Sequence, residues 1–216
     1  MPAQTHDEPG RSWRGQSGDE RRKTRRDALI EAGIELFGTR GYRHTSVKAV
    51  CNEAGLTERY FYEAFDDREG LLLAIYDILI EDAATMVLAA LARHPDDLNA
   101  SMEAALEAFA TQVTKDPRRA RIQEIEVVAV SDAMEEKRRG AIHAFADLIV
   151  AKAREMGAKE SEGQLRLDVI ALGLVGAVNE QLIDYVLGHL EIPLADLVAN
   201  QVAVFDALAQ VLIPQD

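Results

Sequence analysis

The sequence predicts an all-α protein, and three observations lead to this fold class. Apolar side chains recur at three- and four-residue spacing through most of the 216 residues, which is typical of amphipathic helices. The period-two alternation of strands is absent from the sequence. Glycine and proline fall where the apolar patterns stop, as at Gly41, His94-Pro95 and Gly188, and such residues end helices. We therefore expect helices joined by short turns.

The first 40 residues divide into a tail and a helix. Residues 1–20 are polar and charged apart from Trp13, so we expect a disordered arm that buries too little apolar surface to fold. From Thr24 onward a helix is predicted, and Gly41 is expected to end it. Its apolar stripe has offsets of 0, 3, 4, 7 and 8 and consists of Leu29, Ala32, Gly33, Leu36 and Phe37.

Two short helices are predicted next, joined by a tight turn. Thr45 is expected to be the N-cap of the first and Thr57 the N-cap of the second. A helix-turn-helix needs a small residue at the helix crossing, a turn residue that tolerates positive φ and an apolar anchor on its second helix. Cys51, Gly55 and Phe61 meet these needs, although many helical hairpins contain a similar glycine.

The rest of the chain is predicted to be helical to its end. Asp66-Asp67 can cap the next helix, and the predicted helices span 71–92, 98–115, 117–130, 133–156, 165–187 and 194–213. We divide the chain into the arm (1–20), a helix-turn-helix domain (21–70) and a helical effector-binding and dimerisation domain (71–216).

Charge is distributed unevenly between these parts. The whole chain has 24 basic and 37 acidic residues, for a net charge of −13. The window 21–48 instead has eight basic residues against three acidic ones, which fits either a solvated helix face or a phosphate-binding surface. The single cysteine argues against a disulfide framework. No leader pattern or apolar run of about 20 residues is evident, so we expect a cytoplasmic protein that does not cross a membrane.

Many residues between 24 and 76 follow one known order and spacing. They are Ala32, Leu36, Phe37, Gly41, Tyr42, Thr45, Ser46, Val47, Val50, Cys51, Ala54, Gly55, Leu56, Thr57, Tyr60, Phe61, Tyr62, Phe65, Arg68, Glu69, Leu71 and Leu72. This stretch resembles the DNA-binding region of the TetR family of bacterial regulators. The resemblance implies an N-terminal three-helix helix-turn-helix domain, followed by an α-helical ligand-binding and dimerisation domain. Cys51, Arg59, Ala64 and Arg68 depart from the residues that are common in the family.

Candidate DNA contacts follow from side-chain chemistry at these positions. Phosphate contacts are predicted for Thr45, Ser46 and Lys48 at the start of the first motif helix. Further phosphate contacts are predicted for Tyr62 on the second helix and for Arg68 near the start of the next one. Base contacts are predicted at the start of the second helix, by Thr57, Glu58, Arg59 and Tyr60. We favour Arg59 as the main base reader; each of these residues could instead be an ordinary surface residue. The cluster 21–26 could follow phosphates, enter the minor groove or serve as a solubilising tail.

The acidic remainder is expected to bind an effector and to form a homodimer through the last two helices, whose apolar surface exceeds what a monomer needs. The pocket candidates are Met86, Phe109, Ile122, Glu126, Met134, Phe145, Val175 and Asn179, with Gln123, His143 and Gln181 as further polar contacts. Glu126 favours a cationic or hydroxylated ligand, unless it is a solvated or salt-bridged carboxylate. Cofactors are not expected, and the effector itself stays unknown.

The functional hypothesis is a dimeric regulator, a repressor released from a palindromic operator on double-stranded DNA by a small-molecule effector. An all-helical enzyme or a DNA-independent adaptor is the alternative. Against an enzyme, the five histidines lack metal-ligand spacing, and no glycine-rich phosphate loop is present. Cys51 could be a redox sensor, but a small packing residue at the helix crossing is the stronger interpretation. We predict no catalytic or metal-binding residues.

Overall fold

The computed structural model describes residues 18–158 and 166–212, and all regular secondary structure within them is helical. The helices are α1 (Gly18–Arg40), α2 (Val47–Glu53), α3 (Glu58–Ala64), α4 (Arg68–Leu91), α5 (Leu98–Thr114), α6 (Pro117–Arg121), α7 (Asp132–Glu155), α8 (Leu167–Leu187) and α9 (Leu194–Leu212). A 3₁₀ turn (Tyr42–His44) links α1 to α2, and a π-helical turn (Ile122–Glu126) extends α6. The all-α prediction is confirmed.

Most predicted helix boundaries agree with the structure within a few residues, because the capping residues were visible in the sequence. Gly41 follows α1 at φ 91°, where a side chain would be strained. Asp67 caps α4, since its carboxylate accepts a hydrogen bond from the Gly70 amide at 2.8 Å. The start of α1 is a correction, because the helix begins at Gly18 and takes in the last part of the predicted arm. The rest of that arm lies outside the described residues.

The segment predicted as one helix over 117–130 is broken in the structure. The α-helix ends at Arg121, and the next five residues form the π-helical turn. Ala129 then has a φ of 55°, which a residue with a Cβ adopts only at a cost. π-Turns place one extra residue in a turn, so side chains beyond Arg121 do not continue the helical stripe that the sequence suggested.

Two main hydrophobic cores divide the molecule. The first holds together the head, which we define as α1 to α3, with the start of α4. Three residues from later in the chain also lie in it, namely Ile122, Val127 and Met134. The second core forms the body from the end of α4 with α5, α8 and α9. Helix α4 therefore runs through both cores, and the stretch 122–134 is the other connection between them.

Helix α8 is long and apolar enough to cross a membrane by length and composition, although only 22% of its most apolar window is buried. One face of α8 contacts the body through residues such as Leu174, Val178 and Leu182. The opposite face exposes Val169 and Leu172. This helix thus has apolar residues on two sides, and the fold of a single chain covers only one of these sides.

Candidate nucleic-acid interface and internal cavity

A helix-turn-helix is formed by α2 and α3, built as the sequence predicted. Cys51 and Phe61 are buried where the helices meet, and Gly55 in the turn has a φ of 65°. The Leu56 amide donates to the Cys51 carbonyl at 2.9 Å and closes the turn. Burial raises the pKa of the Cys51 thiol, and the nearby Glu58 carboxylate raises it further, so this cysteine is an inert packing residue.

The start of α3 presents its side chains to solvent. Thr57 is the N-cap of α3, and its hydroxyl makes no capping hydrogen bond, so the hydroxyl is available to a ligand. Glu58 and Arg59 are exposed, and Tyr60 is half-buried. These four predicted base readers therefore form one exposed group at the N-terminal end of the helix, and Phe61 behind them fixes the helix to the head.

Arg59 forms an ion pair on α3 that the sequence did not lead us to predict. Its Nε donates to Glu63 Oε1 at 3.1 Å, one turn further along α3. Glu63 also lies 3.9 Å from Arg25, whose guanidinium stacks over the Tyr60 ring at 4.4 Å from the centroid. The i,i+4 spacing could have identified the first pair. An exposed pair of this kind contributes little stability, so Arg59 is free to exchange Glu63 for another acceptor.

The start of α2 corrects one predicted site. The N-cap is Ser46, whose Oγ accepts from the Ala49 amide at 3.2 Å, and not Thr45. Thr45 is buried, and its hydroxyl donates to the Gly41 carbonyl at 2.9 Å. The Thr45 side chain therefore holds the turn together and is not presented to a phosphate. Ser46 and Lys48 are exposed.

The remaining predicted phosphate contacts differ in their environment. Tyr62 is 55% exposed on α3. Arg68 instead donates from Nη1 to the Thr45 carbonyl and stacks over the Tyr42 ring, 4.1 Å from its centroid. Arg68 thereby fixes the turn before α2. In the basic cluster, Arg26 stacks on Phe65 at 5.0 Å, so part of this cluster is packed on the motif and is not a free tail.

An internal cavity of about 100 Å³ lies in the body between α4, α5, α7 and α8. A single water needs about 10–15 Å³, so the cavity has room for a small organic molecule. Its walls are mostly apolar, and Phe109 and Phe145 meet there edge to face with centroids 5.3 Å apart. The polar lining residues are Tyr76, Gln123, Glu124, Arg138 and Asn179.

Four of the eight predicted pocket residues line this cavity, namely Phe109, Phe145, Val175 and Asn179. The other four do not, which corrects the prediction. Met86 is 48% exposed, and Ile122 and Met134 lie in the head core. Glu126 accepts hydrogen bonds from the Tyr42 amide at 2.7 Å and from Arg121 Nε at 2.8 Å. It is the salt-bridged carboxylate that the sequence left as an alternative.

The carboxylate that does line the cavity is Glu124, which the sequence reading missed. It is 3% exposed, and burial raises its pKa to about 7, against the lowering effects of Gln123 and Arg138. Burial also raises the pKa of Tyr76, and Glu124 adds to that rise. A residue with this shift in a cavity is a candidate ligand contact. No sequence signal marked it, because the π-helical turn decides which side chains point inward.

Comparisons with known proteins agree with this architecture. The profile described as bacterial regulatory proteins, tetR family, matches residues 29–75. A Bacillus subtilis relative, the uncharacterized HTH-type transcriptional regulator YuxN, is 30% identical over 66 residues. That alignment covers 31% of this chain and 23% of the relative, so the likeness is confined to a minor part of either protein. Within the described residues, no cluster of metal-binding side chains is present.

Similar solved structures extend the likeness to almost the whole chain. FadR, a fatty acid degradation regulator from Bacillus halodurans, has a TM-score of 0.70 at 16% identity, covering 93% of this chain and 100% of that one. A putative transcriptional regulator from Pseudomonas aeruginosa PAO1 has a TM-score of 0.72 at 19% identity, covering 87% and 91%. FadR from Bacillus subtilis, solved with stearoyl-CoA, has a TM-score of 0.67 at 15% identity, covering 85% and 97%.

The TM-scores establish that this chain shares its fold with these regulators, and the matched profile covers the helix-turn-helix. Residues 29–75 therefore match the tetR-family profile of bacterial regulatory proteins, and the chain shares the all-helical fold of the solved regulators.

Proposed function

We propose that this protein is a dimeric cytoplasmic repressor that binds a palindromic operator and leaves it when a small molecule enters the cavity. The observation that carries the proposal is the exposed group Thr57–Tyr60 at the start of α3, fixed to the head by buried Phe61. In helix-turn-helix proteins this part of the second helix contacts base edges in the major groove. The cavity in the body supports the effector, and FadR from Bacillus subtilis was solved with stearoyl-CoA.

The exposed faces of α8 and α9 support a homodimer. On α8 the exposed residues Val169, Leu172, Gly173, Gly176 and Ala177 recur on one side. A Cβ added at either glycine would meet no atom within 4 Å, so the backbone is open to close approach. On α9 the exposed residues include Ala199, Ala203, Val204 and Ala207. Two copies related by a two-fold axis could bury these faces as a four-helix interface.

A two-fold dimer sets the geometry of the operator. Two recognition helices presented by one symmetric dimer read half-sites about 34–36 Å apart, or a multiple of that distance. A palindrome follows, because each copy reads the same sequence on opposite strands. The acidic body, with a net charge of −12 over 71–216, would be repelled by phosphate and would leave DNA contact to the head.

We expect Arg59→Ala to weaken operator binding about 10- to 100-fold, because loss of one base contact costs about 1–3 kcal/mol. Mobility shift with the DNA upstream of the protein's own gene measures the affinity, and sedimentation measures the dimer. Arg93→Ala is the matched control, since Arg93 is exposed in the loop after α4 and far along the chain from the motif.

The control should bind like the parent protein, and both variants should sediment as dimers. Binding should also weaken steeply as salt rises, because released counterions drive phosphate binding. A folded dimer that binds no DNA would overturn the proposal. Equal weakening by Arg59→Ala and Arg93→Ala would show that only net charge matters and would remove the base-reading role.

The stretch from α6 to the π-helical turn contacts both the cavity and the head, which supports the proposal that a ligand in the cavity affects the head. Gln123 and Glu124 line the cavity, whereas Glu126 holds the Tyr42 amide just before α2. On the other side, Arg118 pairs with Glu35 of α1 at 2.7 Å. A ligand that favours another conformation of this turn would therefore move contacts of the head, provided that it binds the two conformations with different affinity.

We expect Glu126→Ala to speed hydrogen exchange of the Tyr42 amide by about tenfold or more, because a hydrogen bond to a charged group contributes about 1.5–3 kcal/mol. Exchange is followed by NMR on the free protein. Glu107→Gln, on the exposed face of α5, is the control and should leave the Tyr42 amide unchanged. Unchanged exchange in Glu126→Ala would mean that this bond does not restrain the head.

A further inference from the structure

Glu124 is a buried carboxyl group at the cavity wall that lacks a cationic partner. Its Oε1 accepts a hydrogen bond from Gln123 Nε2 at 3.0 Å. Within the described ranges, no further hydrogen bond reaches this carboxylate, and no lysine or arginine nitrogen lies within the 4.0 Å of an ion pair. The side chain is only 3% exposed. Burying an uncompensated charge in this way is costly.

The one basic residue in the cavity lining is already engaged. Arg138 donates from Nε and from Nη2 to the two oxygens of Glu135, each at 3.0 Å. This bidentate geometry is the strong form of an arginine–carboxylate pair. The Arg138–Glu135 pair is therefore neutral without Glu124, and Glu135 also accepts from the exposed Arg139 at 3.2 Å. An anionic ligand at Arg138 would lie beside the Glu135 carboxylate, which would repel it.

Most of the remaining lining is hydrocarbon, contributed by α4, α5, α7 and α8. Ile80, Val87, Leu106, Ile142 and Val178 belong to this wall, together with the Phe109–Phe145 pair. A ligand that fills the cavity must therefore present apolar surface over most of its length. The polar groups of the lining are those of Tyr76, Gln123, Glu124, Arg138 and Asn179.

We infer that the effector is a lipophilic amine, an apolar molecule with one protonated nitrogen that forms an ion pair with Glu124. This inference rests on the proposed function, because it names the ligand class of the same cavity. A cation would supply the missing partner and would bury its hydrocarbon part against the apolar wall. An alcohol of the same shape would gain one hydrogen bond without charge, and a carboxylate would be repelled by Glu124. The sequence placed the cation-binding carboxylate at Glu126, whereas the cavity presents Glu124.

Binding should also depend on pH, because the ion pair needs ionised Glu124. The titratable and charged groups that act on Glu124 are Tyr76 on α4 and Arg138 on α7, and Asp77 and Glu135 lie near Tyr76 in turn. Since burial raises the pKa of Glu124 to about 7, only about a tenth of the carboxyl is ionised at pH 6 and most of it is ionised at pH 8. The affinity for an ammonium group should therefore rise about tenfold over this interval.

The experiment uses octylamine, octanol and octanoate, which share a chain and differ in the head group. Each is titrated by calorimetry into the full-length protein without DNA, at pH 6 and pH 8 and below its aggregation limit. Glu124→Gln is the test variant, because glutamine keeps the size of the side chain and the acceptor for Gln123. Glu107→Gln, on the exposed face of α5, is the matched control.

We expect octylamine to bind at least tenfold more tightly than octanol and octanoate at pH 8, since an ion pair is stronger than a neutral hydrogen bond. Glu124→Gln should abolish both this preference and the pH dependence, whereas Glu107→Gln should keep them. Tightest binding of octanoate, equal binding of all three probes, or no binding of octylamine would each overturn the inference. Because DNA is absent, these outcomes are independent of operator binding, which the Arg59→Ala experiment tests.

Discussion

Replacing Glu124 by glutamine is expected to raise the free energy of unfolding by about 3 kcal/mol at pH 8 and to change it little near pH 4.5. The reason is the difference between the folded pKa of about 7 and the unfolded value of 4.5. Below pH 4.5 the carboxyl is neutral in both states, so glutamine is a close substitute. Between pH 4.5 and 7 the unfolded chain releases the proton first, and the parent protein loses stability as pH rises.

Above pH 7 both states are ionised, and the difference between parent and variant stays constant. Urea unfolding at pH 5 and pH 8 measures this difference, at one protein concentration because the stability of the proposed dimer would depend on concentration. Glu107→Gln should remain within about 0.5 kcal/mol of the parent at both values, as is usual for exposed sites. A variant no more stable than the parent at pH 8 would show that Glu124 is not ionised in an uncompensated site.

The second large effect on stability is expected where Gly38 of α1 contacts Arg118 of α6. A Cβ on Gly38 would lie 2.4 Å from Arg118 Cβ, 2.6 Å from Arg118 Cα and 2.7 Å from its carbonyl oxygen. Backbone atoms cannot move aside as a side chain can, so Gly38→Ala must separate the two helices. Overpacking costs about 1–3 kcal/mol, and contacts of 2.6 and 2.7 Å with backbone atoms place this case at the upper end, about 2–3 kcal/mol. This cost exceeds the gain of about 1 kcal/mol from alanine in a helix.

We therefore expect Gly38→Ala to lower the free energy of unfolding by about 1–2 kcal/mol, measured by urea unfolding at pH 7. The matched control is Gly140→Ala in α7, where a Cβ would meet no atom within 4 Å. That variant should be as stable as the parent or slightly more stable, because only the helix propensity changes. If both variants gained stability, the contact between α1 and α6 would be looser than the structure indicates.

The sequence predicted the head far better than the cavity, and the reason is physical. Gly41, Gly55, Thr57 and Asp67 fix helix ends through local backbone geometry, which a sequence records within a few residues. Thr45 was misplaced as a cap by one position, since both Thr45 and Ser46 can cap a helix and only the packing of Thr45 on Gly41 decides between them.

Cavity residues are harder to predict, because an apolar pattern says that a side chain points inward without saying into which interior. Ile122 and Met134 are as deeply buried as any of the described residues, but they pack in the head core and not at the cavity. Because of the π-helical turn, the carboxylate that lines the cavity is Glu124 and not the predicted Glu126, which instead accepts a hydrogen bond from the Tyr42 amide. Such a turn depends on tertiary packing, and the sequence carries no local sign of it.

The π-helical turn also affects how this protein can diversify. Five consecutive residues, Ile122–Glu126, serve the head core, the cavity and the Tyr42 amide together. Substitutions there would disturb the fold of the head and the choice of ligand in a single step. Wall residues such as Phe109 and Phe145 contact the cavity without taking part in the head core. New ligand preferences are therefore expected to arise by mutation of the walls, while the turn keeps its sequence.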